Sequence, residues 1–371
     1  MPEVRPMNIG LIGCGDIARK AYVPNCRRFP FLNVAACADI DAGRAAAFAR
    51  EQGIAKGGAV DDILADPSIE LVVNLTVPRA HVEVDLLALA AGKHVFSEKP
   101  FALSRQDGER VVAAARARGL RVGCAPDTVL CSGVQTGRHY IDSGAVGRII
   151  GGSCAFLACG PEGWHPNPAF LYEHGGGPAW DMGPYYLHSL ITLLGPVRRV
   201  CGTASRGFDR RTIGSLPRRG TVMEVQVATH VIGLLEFHSG AVVSVTLSFD
   251  MMAGSADYGI QLYGTTGSIH VPDPNYTDGA VRIARRDQHD WVAHQRTHPY
   301  VEGSRGLGVA DMAMAIRTGR AHRANETVAM HAVDILAAIH EAAASGSYVT
   351  LQSTCERPAA IRTDLPEWTL D

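Results

Sequence analysis

The sequence predicts an α/β protein: an N-terminal, doubly wound parallel sheet covered by helices, followed by an α+β domain built on a large, mostly antiparallel open sheet. Three observations predict it. At 371 residues the chain exceeds ordinary single-domain size. Up to about residue 125 short apolar runs alternate with helical stretches, as strands buried on both faces do. Beyond about residue 126 the runs alternate apolar and polar residues, the texture of antiparallel strands. The expected domains are therefore 1–126 and 127–371.

Each element has its local reason. The strand candidates of the first part are Asn8–Ile12, Asn33–Cys37, Glu70–Leu75, His94–Phe96 and Leu120–Cys124. Between them Arg44–Gln52, Ala80–Ala91 and Arg105–Arg118 carry helix-forming Ala, Glu and Arg with an apolar stripe, and Gly53, Gly92 and Gly119 stand where helices end. Repetition of strand, helix, strand implies a parallel sheet. In the second part Val222–Gly233, Leu234–Ser239, Ala241–Phe249, Gly259–Tyr263 and Ser268–Val271 read as strands, with hairpin-like breaks at Ser239-Gly240 and Thr266-Gly267. Helical patterns recur at Val134–Ser143, Tyr185–Leu194, Val309–Thr318 and Thr327–Ala344. The Gly/Pro-rich segment Gly160–Pro178 reads as a functional loop.

Composition excludes several classes. With 46% hydrophobic and 19% charged residues, the chain has enough apolar surface to offset its entropy, so extended disorder is excluded. Thirty-five basic residues against 37 acidic ones, with no Lys/Arg run longer than two, argue against nucleic acid as partner. No stretch approaches the ~20 apolar residues of a membrane span, and Met1–Pro6 lacks the apolar core of a secretory signal. A cytoplasmic chain without a membrane partner is expected. Nine cysteines without a C-x-x-C pair argue against a disulfide framework, and Cys14, Cys37, Cys124 and Cys154 read as buried thiols. His289, His294 and His298 lack acidic or Cys companions at regular spacing, so no metal is expected.

Four segments carry chemistry. Gly13-Cys14-Gly15-Asp16-Ile17-Ala18 follows the first strand and opens a helix. Gly13 permits a tight turn, Gly15 lets backbone approach a pyrophosphate, and the amides around Asp16 and Ile17 supply donors. Asp39, 24 residues after Gly15, ends the second strand, where a carboxylate accepts from ribose hydroxyls and repels a ribose phosphate. NAD is the expected cofactor, with Arg44 nearby leaving NADP possible. Asn74, Thr76, Pro78 and His81 follow one strand and Glu98-Lys99-Pro100 another, both at the edge where open α/β sheets bind ligands. Lys99 is one of only four lysines, beside Lys20, Lys56 and Lys93. Finally, in Gly175-Gly-Gly177-Pro-Ala-Trp-Asp181-Met-Gly-Pro-Tyr185-Tyr-Leu-His188 a helical segment would put Asp181, Tyr185 and His188 on one face as a pocket wall. The alternative is a helix cap at Asp181 and a core tyrosine. Trp164, His165 and Tyr172 suit a sugar ring or plain loop packing, and Asp127 suits substrate contact or a helix cap.

In order and spacing these segments resemble the glucose-fructose oxidoreductase, inositol dehydrogenase and MocA (Gfo/Idh/MocA) oxidoreductases over nearly the whole chain. The resemblance implies a Rossmann domain at 1–126 and a substrate-binding and oligomerisation domain at 127–371, whose open sheet joins subunits into a dimer or tetramer. It implies hydride exchange between nicotinamide and a secondary alcohol or carbonyl, usually of a sugar, polyol or derivative. Lys99 matches the family's active-site lysine and Asp181 its substrate-binding aspartate. Tyr185 stands where many members carry a proton-accepting histidine, and His188 where polyol dehydrogenases often carry an acid.

Chemistry asks for the same cast. A carbinol losing hydride leaves a proton on oxygen, which a group with a pKa near working pH must accept. A tyrosine beside a lysine does this if burial lowers the ammonium from its ordinary value of about 10.4 and the nearby positive charge lowers the phenol from its ordinary value of about 10. Lys99, Tyr185 and Asp181 are thus the expected catalytic residues. Cofactor contacts are expected from Gly13, Gly15, Asp16, Ile17, Asp39, Asn74, Thr76, Pro78, His81, Glu98 and Lys99. Substrate contacts are expected from Lys99, Asp127, Trp164, His165, Asp181, Tyr185 and His188. The rivals are an NAD-bound sensor or scaffold without turnover, and a lyase or hydrolase that uses bound NAD for transient oxidation.

Overall fold

The computed structural model describes residues 5–253, 258–277, 279–302 and 305–371, apart from the His289 side chain. The chain divides into two compact units, one of residues 1–135, 297–330 and 358–371, the other of 136–296 and 331–357. A single cut after residue 126 therefore does not reproduce the units, because the chain returns twice to the first.

Six parallel strands form the sheet of the first unit in the order β3-β2-β1-β4-β5-β6. They are β1 (Met7–Ile12), β2 (Leu32–Ala38), β3 (Lys56–Gly58), β4 (Leu71–Asn74), β5 (His94–Ser97) and β6 (Val122–Cys124). The order reverses beside β1, the switch point where such sheets bind ligands. Helix α2 (Ala42–Gln52) starts on Asp41, whose carboxylate accepts the Arg44 amide at 3.1 Å, and ends on Gly53 at φ 60°. Helix α5 (Arg105–Arg118) is capped likewise by Ser104 and Gly119. The returning helix α8 (Leu307–Thr318) shares the core of this unit with Phe96, Tyr300, Ile361 and Leu370.

The second unit holds a nine-stranded sheet in the order β16-β15-β14-β13-β7-β12-β11-β8-β17, antiparallel except for β7 (Ile149–Leu157) beside β12 (Val242–Ser248). Its other members are β8 (Val197–Ser205), β11 (His230–Phe237), β13 (Gly259–Gly264), β14 (Gly267–Val271), β15 (Arg282–Arg285), β16 (Gln288–Ala293) and β17 (Val349–Thr350). A separate ribbon joins β9 (Arg210–Thr212) and β10 (Val222–Glu224). Helices α7 (Gly177–Leu194) and α9 (Glu326–Ser345) cover one face. Gly202 and Gly233 are paired across β8 and β11, and a Cβ on either would stand 3.0 or 2.9 Å from Ile339, so the glycines make the trough this side chain fills. By length and mean hydropathy α9 is comparable to a membrane span, but Asp334 and Glu341 interrupt its apolar residues, and most of it is buried in the fold.

Pairing register sets the other face. Leu234, Ser244, Ser153, Gln261 and His270 lie in one row across β11, β12, β7, β13 and β14. Val242, Gly151 and Tyr263 lie in the next. Leu234, Val242 and Tyr263 are exposed around a hollow of about 170 Å³ lined by Ser153, Ser244, Thr246, Gln261 and His270. The face is apolar at its flanks and polar at its centre.

Candidate active site

In the first unit the expected cofactor residues gather at the carboxyl ends of β1, β2, β4 and β5. Gly13 has φ 107°, and a Cβ there would lie 2.6 Å from the Leu75 carbonyl oxygen, so only glycine fits the turn. A Cβ on Gly15 would meet no protein atom within 4 Å. Packing does not demand glycine at that position; open space beside the turn's amides is the room a pyrophosphate needs, and the residues fit a dinucleotide. The turn opens directly into a π-helical turn, Ala18–Tyr22, that runs into α1 (Val23–Cys26). The side chain of Asp16 is paired with Lys20 at 2.8 Å, leaving its amide as the relevant group, and Ile17 is exposed.

Asp39 locks the turn to the end of β2. Its Oδ2 accepts the Cys14 amide at 3.0 Å, and Oδ1 accepts from the Asp41 amide at 3.1 Å and from Arg44 at 3.3 Å. A carboxylate held there favours free ribose hydroxyls over a ribose phosphate. NADH is expected to bind more tightly than NADPH in parallel titrations, and Asp39→Ala should narrow the gap. Equal or tighter NADPH binding by the wild type would remove this role from Asp39.

Several residues expected to touch cofactor are spent on the protein itself. Asn74 is fully buried: its amide donates to the His81 carbonyl at 3.0 Å and to Asp85 at 2.7 Å, and its oxygen accepts the Thr76 hydroxyl at 2.7 Å. Burial raises the Asp85 carboxyl to about 7. Pro78 starts a short 3-10 turn, Pro78–Ala80, and His81 is buried at the head of α4 (His81–Ala90). Glu98 accepts the Tyr22 hydroxyl at 2.9 Å and the Lys99 amide at 2.9 Å, which fixes the turn carrying Lys99 at the end of β5. No local sequence signal pairs Tyr22 with Glu98, 76 residues away.

Asp127 is a cap. It is fully buried, and its Oδ2 accepts the amides of Gly306 and Gly308 at 2.7 and 3.0 Å, closing the N-terminus of α8 rather than of the next helix. Burial raises its carboxyl to about 6.

In the second unit α7 begins at Gly177, so Asp181 lies one turn inside the helix and is not its cap. Asp181 is partly exposed, and Tyr185, one turn on, is 6% exposed. His188 departs from the expected pocket wall: it is 2% exposed, and burial, with His331 adding, pushes its imidazole down to about 3. The face of α7 that is partly exposed at Asp181 is core by His188, two turns on.

The loop before α7 presents Trp164, 72% exposed, edge-on to His165, which meets Phe170 in turn. Tyr172 is buried and donates to Glu162. Arg211 of β9, which sequence reading did not single out, holds this loop. Its guanidinium, 5% exposed, bonds Glu162 at 2.7 Å, Asp250 at 2.5 Å and the Cys159 and Phe249 carbonyl oxygens. The Ser215 hydroxyl donates to the His165 carbonyl at 2.5 Å. His298 has Thr297 and Ile361 as ring partners and His294 meets Tyr140, while the His289 side chain lies outside the described residues.

Comparison with known proteins agrees with this layout. Residues 7–125 match the sequence model of the Gfo/Idh/MocA oxidoreductase family's NAD-binding Rossmann fold, and residues 134–270 match that of a Gfo/Idh/MocA C-terminal domain. A 1,5-anhydro-D-fructose reductase of Ensifer adhaerens is 29% identical over 70% of this chain and 74% of its own. A levoglucosan dehydrogenase of Pseudarthrobacter phenanthrenivorans is 26% identical over 80% of this chain and 82% of its own. The solved structure of a levoglucosan dehydrogenase with NADH and levoglucosan superposes with a TM-score of 0.81 at 23% identity, covering 94% of this chain and all of that one.

Proposed function

The chain belongs to the Gfo/Idh/MocA oxidoreductase family, an NAD(P)-dependent oxidoreductase family, and on that premise we propose that it exchanges hydride with a secondary carbinol of a sugar, sugar derivative or related cyclic alcohol, with NAD preferred. The observation that carries the substrate class is α7: Asp181, partly exposed, and Tyr185 stand one turn apart on a largely buried helix, next to a loop that presents Trp164, His165 and Phe170. Such aromatic and imidazole surfaces suit the apolar faces of a ring, and a carboxylate suits its hydroxyls. The relatives named for 1,5-anhydrofructose and levoglucosan support a cyclic substrate.

Bound NAD would take the hydride. The protein's own residues handle the proton and the geometry. Tyr185 takes the carbinol proton and Asp181 accepts a hydrogen bond from a neighbouring hydroxyl, while Lys99 is the counterpart of the family's active-site lysine. Nine free cysteines, seven of them buried, support a reducing, cytoplasmic setting. Screening levoglucosan, anhydro sugars, hexoses and inositols with NAD for formation of reduced nicotinamide tests the reading.

The open sheet face supports self-association. Leu234, Val242 and Tyr263 would leave water on docking against a second copy, and the central hydroxyls would find partners. Sedimentation at micromolar concentration should give a dimer or tetramer; a monomer would refute the proposal, and Leu234→Glu should dissociate the assembly.

A further inference from the structure

One side chain joins the two segments that leave β4 and β5. His81, 1% exposed, has Nδ1 2.8 Å from the Pro100 carbonyl oxygen and Nε2 3.0 Å from the Thr76 carbonyl oxygen. Both partners only accept. A neutral imidazole, with one N–H, satisfies one of them, whereas the imidazolium satisfies both. The backbone of His81 is fixed independently, since its carbonyl accepts from Asn74. Glu98 and Lys99 face the ring from the end of β5, and Asp85 lies one turn further along α4. Burial opposes the cation most, Lys99 adds to that, and Glu98 and the two carbonyls favour it; the balance holds the imidazole below its ordinary pKa.

We propose that His81 is a positioning residue: a proton-dependent brace that ties the Thr76 segment to the Lys99–Pro100 turn and so sets the cofactor site without touching the cofactor. It rests on the NAD-dependent reading above. Below the pKa of His81 both bonds form. Above it one is lost, and the segment that loses its bond is freed. NADH affinity therefore rises as pH falls through that pKa.

The test is fluorescence titration with NADH from about pH 5 to about pH 8, the range over which histidines exchange charge. Wild type should gain about three- to tenfold in affinity toward the acid end, the worth of one hydrogen bond. His81→Asn keeps a donor near Nδ1 and His81→Gln one near Nε2, and neither titrates. Both should lose the His81-dependent slope and bind near the wild type's alkaline level, and His81→Ala should bind more weakly still. Asparagine and glutamine variants that keep the wild-type slope would overturn the proposal, as would an alanine variant with wild-type affinity throughout. If the alanine variant does not fold, the two amide variants decide. A wild type that binds no NADH would sink the cofactor reading instead, and one that binds NADH but oxidises no alcohol would sink the catalytic reading while leaving the brace measurable.

Discussion

Lys99→Ala and Tyr185→Phe are each expected to lower kcat by ~10²–10⁴, the usual worth of a positioned acid or base, with the affinity for NADH nearly unchanged. The two residues belong to different units and stand 86 residues apart in sequence. Asp181→Ala should raise KM as well as lower kcat, because it loses a substrate hydroxyl. The rival for proton transfer is now His165 alone, since His188 is buried and held at about 3. Normal turnover by Tyr185→Phe with loss in His165→Ala would hand the role to the histidine.

Arg211→Met should destabilise the second unit by about 3–5 kcal/mol, because it leaves the Glu162 and Asp250 carboxylates buried without their cation. In a unit of this size that is a fall of the order of 10 °C in the thermal midpoint. Arg211→Lys should recover only part of it. An ammonium cannot fork between two carboxylates and two carbonyl oxygens as the guanidinium does. Calorimetry reads the stability, and a rise in KM should accompany it as the loop carrying Trp164 and His165 loosens. A methionine variant as stable as the wild type would show that the ion cluster does not hold the loop.

The first sheet was legible almost strand by strand, because strands buried on both faces are written as continuous apolar runs. The exception is β3, whose Lys-Gly-Gly has no apolar pattern; Gly57 is required there because a Cβ would lie 2.5 Å from the Ala45 carbonyl oxygen. In the second unit β7 carries no legible strand pattern for a similar reason. Gly151 and Gly152 sit where a Cβ would meet the Val242 and Gln261 carbonyl oxygens at 2.8 and 2.3 Å, so close packing at the sheet's centre erased the alternation. The expected break between Gly233 and Leu234 does not exist, for Gly233 continues β11 and pairs with Gly202.

The candidate site was legible where chemistry is local. The glycine turn, Asp39 and the Lys99 turn stand at strand ends, and Asp181 and Tyr185 one turn apart on α7, while the roles of these residues are proposals. It was illegible where partners are far apart in sequence. Nothing near Asp127 announces that its carboxylate caps a helix about 180 residues on, and nothing near Arg211 announces Glu162 and Asp250. His188 shows the limit of a periodicity argument: helical spacing places a residue on a face, but burial along that face decides whether it meets substrate or core.

The most direct test of hydride exchange with a cyclic alcohol uses levoglucosan, a 1,5-anhydro sugar alcohol and an inositol, each deuterated at its ring carbinol carbons, with NAD and the wild-type protein. Mass spectrometry of the nicotinamide should find deuterium in stoichiometric NADH from at least one of them, formed more slowly than from the undeuterated compound, and at rates ~10²–10⁴ lower with Lys99→Ala or Tyr185→Phe. Tight NAD binding with no deuterium transfer from any cyclic alcohol would contradict the account in favour of a sensor, and product formed without net NADH would contradict it in favour of a lyase or hydrolase.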